Sequence, residues 1–305
     1  MSRYLKSARL PKGPTDVSTA SEPEQALTDR FGDGRTKLLR PIVYNKTSRL
    51  PAVNETQSTL LGMYKDMKTI LEENGISFYV HFGTAIGAVR HNGFIPWDDD
   101  IDIAVWRKDL PHIDRVLSEG LDPDRYYYHI SSADTHPHVI RRDGDFKESL
   151  KERNAPFIDL FPIDGYPEGK LRQRLCNACI WGDVGSVWAI DHTDSVGIHR
   201  LVRWIPGMFE RMADRLVEKD SDLTVILATQ FKDYIFPREY YGEPIYHQFE
   251  DTEVPLPAKW HEILTEMFGD YMTPPPEDQR TGAGGFPCGA YKDYITDLRS
   301  GRIDR

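Results

Sequence analysis

The chain has 305 residues, which is enough for one large domain or two small ones. Asp and Glu number 48 against 38 Lys and Arg, so the formal charge is −10, which argues against non-specific nucleic-acid binding. No apolar run approaches the roughly 18 residues of a membrane span, and residues 1–10 lack the apolar stretch of a signal peptide. We therefore expect a cytoplasmic protein with no transmembrane segment and no nucleic-acid partner.

The N-terminal stretch, residues 1–54, carries scattered Pro, Gly, Ser and Thr with little periodicity, which is typical of a partly irregular arm. Residues 55–74 then place apolar side chains at spacings of three and four, which predicts a helix ended by Gly75. We expect the main domain over residues 55–280 and a tail over residues 281–305.

Residues 76–93 predict a strand, a turn and a helix. Apolar and aromatic residues at 76–82 indicate a short strand, which Gly83 and Thr84 interrupt. Residues 85–91 have helical composition, with Gly93 as the C-terminal stop. A strand that runs into a Gly-Thr helix start presents backbone N–H groups and a positive dipole end, which suits a phosphate.

The acidic run at residues 98–102 follows directly. Apolar residues alternate with polar or small ones from residue 100 to residue 105, and this period of two predicts a strand with one buried face. Asp98, Asp100 and Asp102 would share the opposite face, with Asp99 pointing away. Three carboxylates on one face repel one another unless a cation lies among them, and Mg²⁺ binds carboxylates together with substrate phosphates. The phosphate turn and the acidic strand together predict phosphoryl chemistry in a nucleotidyltransferase-type fold.

Two other interpretations of the acidic run are weaker. A calcium loop would place Asp98 first and Asp109 twelfth, but the sixth position is Ile103 where such a loop requires Gly. A solvated acidic turn is a common outcome for clustered aspartates, but the alternating apolar residues that follow favour a half-buried strand.

A third carboxylate is expected from a neighbouring strand. Asp159, in an apolar strand at residues 157–160, is the candidate, and an edge-strand aspartate that faces water is the alternative. Asp164 lies in a predicted turn, where an Asx-type hydrogen bond is its expected role. A helix at residues 109–119 and strands at residues 125–131 and 138–142 are predicted between the two acidic sites.

The three cysteines are too few for a disulfide framework. Cys176 and Cys179 have the spacing of a metal-binding pair, but the distant candidates for a second pair are only Cys288 and the histidines His136 and His138. On a helix the same spacing places two small apolar side chains on one face, so core packing is favoured.

The section from about residue 169 to residue 230 is predicted to be rich in helix. Breaks are expected near Gly182, Gly185 and Gly197, and Pro206 should kink or divide a helix. Apolar and aromatic residues at positions 201–217 form a stripe that we expect to face the core. A last helix is predicted at residues 258–268.

Several blocks resemble the signature of the LicD family, which includes phosphocholine transferases of bacterial surface glycans and is related to the fukutin group of ribitol-phosphate transferases. The first block comprises Gly83-Thr84, Gly-Ala-Val-Arg-His at 87–91 and Gly-Phe-Ile-Pro-Trp-Asp-Asp-Asp-Ile-Asp-Ile at 93–103. The other blocks lie at residues 157–165, 249–257, 268–272 and 275–276. The chain departs from the family after the last block, where Gly-rich sequence replaces a frequent histidine or lysine.

The resemblance implies an α+β fold with a nucleotidyltransferase-like core, in which helices flank a small mixed β-sheet and a helical insertion and C-terminal part are added. It also implies metal-dependent transfer of a phosphoalcohol, such as phosphocholine or an alditol phosphate, from a CDP-activated donor to a sugar hydroxyl of a glycan or glycolipid, with release of CMP. Asp100, Asp102 and Asp159 would bind Mg²⁺ or Mn²⁺, and Asp98 is placed to act as the base. Peripheral membrane association stays open.

Five further residues are expected to contact substrate or phosphate. Gly83 and Thr84 would bind phosphate through a backbone N–H and a hydroxyl, and Glu250 lies in the matching C-terminal block. Arg90 would clamp a phosphate or pair with Asp98. Trp97 would stack on the substrate or, as we favour, pack on the core.

Two rival functions remain for the same residues. An ordinary nucleotidyltransferase would use these carboxylates but release pyrophosphate. A non-catalytic relative would bind a nucleotide or a glycan without turnover.

Overall fold

The computed structural model describes residues 53–129, 136–142, 155–191, 204–226 and 234–280, together with Val202 and Asp293. The predicted arm therefore lies outside the described residues except for residues 53 and 54, and the predicted tail lies outside them except for Asp293. The zinc candidate Cys288 and the predicted break at Gly197 also fall outside this part of the chain.

The described helices and strands follow one another as expected for an α+β protein. The α-helices are α1 (Glu55–Glu73), α2 (Phe82–His91), α3 (Leu110–Gly120), α4 (Lys170–Asp191), α5 (Ile205–Asp214) and α6 (Trp260–Phe268). The strands are β1 (Phe78–Val80), β2 (Ile101–Trp106), β3 (Tyr126–His129), β4 (His138–Arg141), β5 (Phe157–Gly165), β6 (Leu223–Ile226), β7 (Ile235–Pro237), β8 (Ile245–Phe249) and β9 (Thr252–Leu256). Short 3-10 helices occur at Arg107–Asp109, Arg238–Tyr241 and Glu277–Gln279.

The described strands form a mixed sheet of seven strands and a separate hairpin of β8 and β9. In the main sheet the order is β1-β2-β5-β4-β3, and β6 joins the later half of β5 and pairs in turn with β7. Only β2 and β5 run parallel among the described pairs. Helices flank this sheet, so the predicted α+β nucleotidyltransferase-like class is confirmed, although the sheet is larger than expected.

The predicted geometry of the acidic strand needs two corrections. The strand begins only at Ile101, so Asp98, Asp99 and Asp100 lie in the irregular segment before it and do not share a strand face with Asp102. Both faces of β2 are buried from Ile101 to Val105, and both of its edges are paired, one to β1 and the other to β5. Alternation in the sequence marked two faces correctly but did not show that both are covered.

The first helix agrees with its prediction, and its start is fixed by a capping box. The Asn54 side chain accepts from the backbone N–H of Gln57 at 2.8 Å, and the Gln57 side chain accepts from the N–H of Asn54 at 3.3 Å. Gly75, with φ +66°, follows the helix end in the left-handed region that glycine adopts easily. The buried face of α1 packs on the largest apolar cluster.

The region around α4 and α5 differs most from its prediction. Helix α4 runs without interruption through Gly182 and Gly185. A Cβ atom at Gly182 would lie 2.5 Å from the Phe209 ring, so this glycine permits close packing of α4 on α5 rather than ending a helix. Pro206 lies in the first turn of α5, so the predicted division occurs there. The stripe predicted to be core is partly exposed: Trp204 and Met212 face solvent.

Two smaller predictions concern Asp164 and the cysteine pair. Asp164 lies within β5 rather than in a turn, although its Oδ1 accepts from the N–H of Gly165 at 2.7 Å. Cys176 and Cys179 are both buried on α4 as free thiols. They join no cluster of metal-ligating side chains among the described residues, which agrees with the favoured core-packing interpretation. None of the described helices combines the length and the apolarity that crossing a bilayer requires.

Candidate active site

A row of ionisable side chains crosses four neighbouring strands of the main sheet. Asp102 on β2 lies opposite Asp159 on β5. Asp159 also lies opposite His138 on β4, and His138 lies opposite His129 on β3. Residues opposite each other in neighbouring strands project to the same face of a sheet. All four side chains are buried, so the sheet register alone gathers two carboxylates and two imidazoles inside the protein.

Asp159 is the centre of this row, because two histidines contact one of its oxygens. His138 donates through Nδ1 to Asp159 Oδ1 at 2.5 Å, and His136 Nε2 lies 3.3 Å from the same oxygen. Burial by itself raises the pKa of Asp159, but the charges and hydrogen bonds of His138 and His136 outweigh it and lower that pKa to about 2. Asp159 therefore stays ionised over the whole physiological range of pH.

One ligand atom from each of His136, His138 and Asp159 lies within 4.8 Å of the other two, and all three side chains are buried. Among the described residues, this is the one set of three or more His, Cys, Asp or Glu side chains that converges so closely. Its nitrogen and oxygen donors are those that hold divalent metals in proteins. The three residues can therefore hold a metal ion. The structure places Asp159 between these histidines and the acidic run, rather than among carboxylates alone.

The acidic run meets the start of helix α2. The N–H of Gly83 donates to the Asp102 carboxylate, and the N–H of Asp102 donates to Thr84 Oγ1 at 2.9 Å. A Cβ atom at Gly83 would lie 2.9 Å from Asp98 Oδ2, so a larger residue would push this carboxylate away. Gly83 and Thr84 thus hold Asp102 in this structure, and the positive end of α2 faces the carboxylates.

Crowding of the carboxylates changes their protonation. Burial, and then the charge of Asp99, raise the pKa of Asp98 to about 7, against the opposing charge of Arg90. The pKa of Asp100 rises well above its usual range, first through burial and then through the charges of Asp98 and Asp159. The pKa of Asp102 also rises well above its usual range, first through burial and then through Asp100 and Asp159. These carboxylates therefore lie close enough to repel one another strongly. A cluster of this kind favours either bound protons or a divalent cation with oxygen ligands, and its donor set fits Mg²⁺ or Mn²⁺.

Arg90 lies behind the site and links two segments of the chain. It is buried, and its Nη1 donates to the carbonyl of Tyr271 at 2.6 Å while its Nε donates to His91 Nε2 at 2.9 Å. Its charge lowers the pKa of Asp98. These hydrogen bonds hold the guanidinium against the segment that follows α6.

Trp97 and Glu250 flank the acidic run on its surface side. Trp97 is half-buried against the main apolar cluster, and the guanidinium of Arg280 lies 5.0 Å from the centre of its ring. Glu250 Oε1 accepts from the N–H of Phe94 at 3.0 Å, and its own N–H donates to the carbonyl of Asn92 at 2.7 Å. Glu250 thus fixes the turn between α2 and the acidic run, in a left-handed backbone conformation with φ +53°.

Sequence reasoning missed four residues around this site. His136 and His138 entered only as distant partners for the cysteines. Gln57 donates through Nε2 to the carbonyls of Ile95 at 3.1 Å and Asp98 at 2.9 Å, so it supports the loop that carries the acidic run. His129 Nε2 donates to Asp293 Oδ2 at 3.2 Å at the outer end of the row. The available signal was a pair of histidines two positions apart, His136 just before β4 and His138 at its start, but their partner Asp159 becomes evident only from the sheet register.

The fold and the site together define the class of protein. Carboxylates on two adjacent parallel strands, beside the N-terminus of a helix, occur here in the mixed sheet of an α+β nucleotidyltransferase-like fold. Residues 75–176 match the family described as LicD/FKTN/FKRP, nucleotidyltransferase domain. This range contains α2, the acidic run, Asp159 and the two histidines that contact it, His136 and His138. This part of the chain is therefore similar to the nucleotidyltransferase domain of the LicD/FKTN/FKRP family.

Two kinds of relative extend the comparison. The lipopolysaccharide cholinephosphotransferase LicD of Haemophilus influenzae is 27% identical over 255 residues, which cover 75% of this chain and 94% of the relative. The ribitol 5-phosphate transferases FKRP of Mus musculus and Homo sapiens are each 28% identical over 128 residues, which cover 41% of this chain and 22% of each relative. The similarity to LicD thus extends over nearly the whole relative, whereas the similarity to FKRP is confined to one part of it.

Proposed function

We propose that this protein transfers a phosphoalcohol from a CDP-activated donor to a sugar hydroxyl of a glycan or glycolipid and releases CMP. The observation that supports this most directly is the buried meeting point of Asp102, Asp159 and the start of α2, which lies inside the family domain. The names of the relatives describe transfer of a choline phosphate and of a ribitol 5-phosphate. An alcohol joined to phosphate is the group common to both, so a phosphoalcohol is the transferred group that we propose here.

We propose that Asp100, Asp102 and Asp159 hold the catalytic cation, Mg²⁺ or Mn²⁺. Both histidines contact Oδ1 of Asp159. The other oxygen of this carboxylate, Oδ2, would therefore bind the cation. His136 and His138 would then keep Asp159 ionised and oriented, as hydrogen-bonding partners of metal ligands commonly do. A cation bound here would offset the negative charge that develops on the donor phosphates during transfer.

Asp98 is the proposed general base. Asp98 is outside the proposed set of cation ligands, and burial and then the charge of Asp99 raise the pKa of its carboxyl to about 7 in the metal-free protein, which favours acceptance of a proton. In the proposed reaction Asp98 accepts the proton of the sugar hydroxyl, and that oxygen forms a new bond to the phosphorus of the phosphoalcohol. The bond between this phosphorus and the oxygen bridging it to CMP breaks, and CMP leaves with the bonding electrons. In this proposal Gly83 and Thr84 serve to hold Asp102, a cation ligand, through the contacts described above.

The proposal is tested by incubating the protein with CDP-choline or CDP-ribitol, Mg²⁺ or Mn²⁺ and a glycan or glycolipid acceptor, and measuring CMP. We expect CMP release with at least one donor, and its loss in EDTA. Asp98→Asn removes the proposed base and should reduce CMP release. Asp109→Asn is the control and should not, because Asp109 lies after β2 and outside the acidic run. Pyrophosphate released from a nucleoside triphosphate instead, with no CMP from either donor, would identify an ordinary nucleotidyltransferase and contradict the proposal.

A further inference from the structure

Helices α4 and α5 expose an unusual number of large apolar side chains. Of the eight large apolar side chains that are exposed in the described part of the chain, five belong to this pair of helices and its connection. They are Leu171 (70% exposed), Leu175 and Trp181 (53%) on α4, Trp204 (57%) just before α5, and Met212 on α5. We call these five residues the α4–α5 surface. Single exposed apolar residues need no explanation, but five of them, including two tryptophans, on two helices that pack together at Gly182 and Phe209 indicate an interaction site.

The exposed apolar residues of α4 follow the period of the helix. Leu171, Leu175, Ala178, Trp181 and Gly185 are exposed and recur at spacings of three and four, so they lie along one side. The opposite side of α4 is also apolar, but it is buried: Cys176, Ile180 and Val184 belong to an apolar cluster with Tyr166 and Val225. Helix α4 is therefore apolar on both sides. The described residues cover one side, and they cover the other where Phe209 of α5 packs against Gly182.

Basic side chains accompany the α4–α5 surface. Lys170 and Arg174 on α4 and Arg215 after α5 are exposed, and their side chains make no ion pair or hydrogen bond with another described residue. Arg172 pairs with Glu218, and Arg211 interacts with its neighbour Glu210. The whole chain carries a formal charge of −10, so unpaired basic groups beside an apolar surface are a local departure from its overall charge.

We propose that the α4–α5 surface binds a membrane that contains anionic phospholipids. Helices that lie in a lipid interface combine an apolar side rich in Leu and Trp with flanking Lys and Arg, which is the composition found here. Tryptophan in particular suits the boundary between headgroups and acyl chains. Charge decides between lipid and a neutral apolar partner, because Lys170, Arg174 and Arg215 complement anionic headgroups while the acidic remainder of the protein would be repelled. This binding is independent of the proposed chemistry.

The test is sedimentation of the full chain with vesicles. We expect the protein to sediment with vesicles containing phosphatidylglycerol, and much less with vesicles of phosphatidylcholine alone. Leu171→Ser combined with Trp181→Ser should abolish sedimentation. Arg174→Glu should weaken partitioning by about tenfold or more, since each basic residue near an anionic surface contributes about 1 kcal/mol.

The controls make the same chemical changes elsewhere on the surface. Phe268→Ser removes an exposed apolar side chain from α6, and Arg115→Glu reverses an exposed charge on α3, so both should sediment like the unchanged protein. Circular dichroism of each variant checks that the fold is intact. The proposal is overturned if the unchanged protein sediments with neither vesicle. It is also overturned if Trp181→Ser abolishes a dimer seen by analytical ultracentrifugation without affecting sedimentation with vesicles, because the surface would then be a protein interface.

Discussion

The row of ionisable side chains around Asp159 and the α4–α5 surface both depart from the usual placement of residues. The first buries charged and polar groups, and the second exposes apolar ones. Around Asp159, carboxylates and imidazoles are buried, and each of the central contacts is a charge-assisted hydrogen bond or a close pair of charges. On the α4–α5 surface, leucine and tryptophan are exposed beside basic groups. Both arrangements cost stability if left as they are, because buried charges lose hydration and exposed apolar groups keep theirs. The comparison suggests that each region is completed by something that binds it: a cation and substrate in the first, a lipid surface in the second.

The largest effect is expected for Asp102→Asn. This variant removes one of the proposed cation ligands but keeps the size of the side chain, so we expect turnover to fall by about a thousandfold or more. Asp99→Asn is the matched control in the same acidic run, because Asp99 is not among the proposed ligands, and it should retain most of the activity. Initial rates of CMP formation measure both. Equal losses in the two variants would show that the acidic run acts only through its total charge.

A second effect should separate Asp159 from its neighbour on the same strand. Asp159→Asn removes the charge that pairs with His136 and His138, so the rise in Tm that Mn²⁺ gives the unchanged protein should disappear. Asp164→Asn lies on β5 as well but contacts its own backbone, and should keep the full metal-induced rise. Thermal melts with and without Mn²⁺ make the comparison. If Asp159→Asn retains the rise, the cation is bound without Asp159, and Glu250 becomes the next residue to test.

A third effect concerns the dependence of stability on pH in the metal-free protein. Burial and Asp99 raise the pKa of Asp98 to about 7, so the folded protein binds this proton more tightly than the unfolded chain, in which aspartate titrates near about 3.9. Stability should therefore fall as pH rises from about 4 to about 7. Asp100 and Asp102 act in the same direction. The lowered pKa of Asp159 acts oppositely, but its contribution is lost only as pH falls through about 2, below this window.

The measurement is Tm in EDTA across that range of pH. Asp98→Asn should reduce the fall in Tm, because one of the groups that titrates there is gone. Adding Mn²⁺ should reduce it too, since the bound cation replaces the protons. An identical dependence on pH in the variant and the unchanged protein would mean that Asp98 titrates normally.

The smallest effect is expected in α4, where two glycines differ in their surroundings. Gly182→Ala places a methyl group against the Phe209 ring, so we expect a loss of about 1–3 kcal/mol through overpacking. A methyl group at Gly185 meets nothing within 4 Å, so Gly185→Ala should stabilise the helix by about 0.5–1 kcal/mol. Urea unfolding measures both changes. Stabilisation by both substitutions would show that α4 and α5 pack less closely than the structure indicates.

The sequence predicted the elements around the acidic run better than their arrangement. Alternation and the Gly-Thr pair indicated β1, α2 and β2, because periodicity and helix stops depend on residues that lie within about ten positions of one another in the sequence. The strand nevertheless begins at Ile101, because its start depends on pairing with β5. His136 and His138 could not be assigned to Asp159, since the register that joins β4 to β5 is a long-range property.

The prediction for the helical region around α4 and α5 was partly wrong for a different physical reason. The predicted apolar stripe has Met212 on α5 and Trp204 just before it, but periodicity does not show whether such a face is covered by protein. The glycines of α4 were interpreted as breaks, because a sequence shows that glycine weakens a helix but not that Phe209 needs the space at Gly182. Where the partner of a surface lies outside the chain, the pattern in the sequence is the same as that of a core.

The central claim is that the acidic run and Asp159 bind one cation, with the histidines as supports for Asp159. Isothermal titration of the metal-free protein with Mn²⁺ tests it through two variants, Asp102→Asn and His138→Gln. The account predicts that Asp102→Asn abolishes binding, whereas His138→Gln weakens it by about 10–100-fold, as expected for a residue that orients a metal ligand. Unchanged binding in Asp102→Asn together with complete loss in His138→Gln would place the cation on His136, His138 and Asp159 alone and contradict the account.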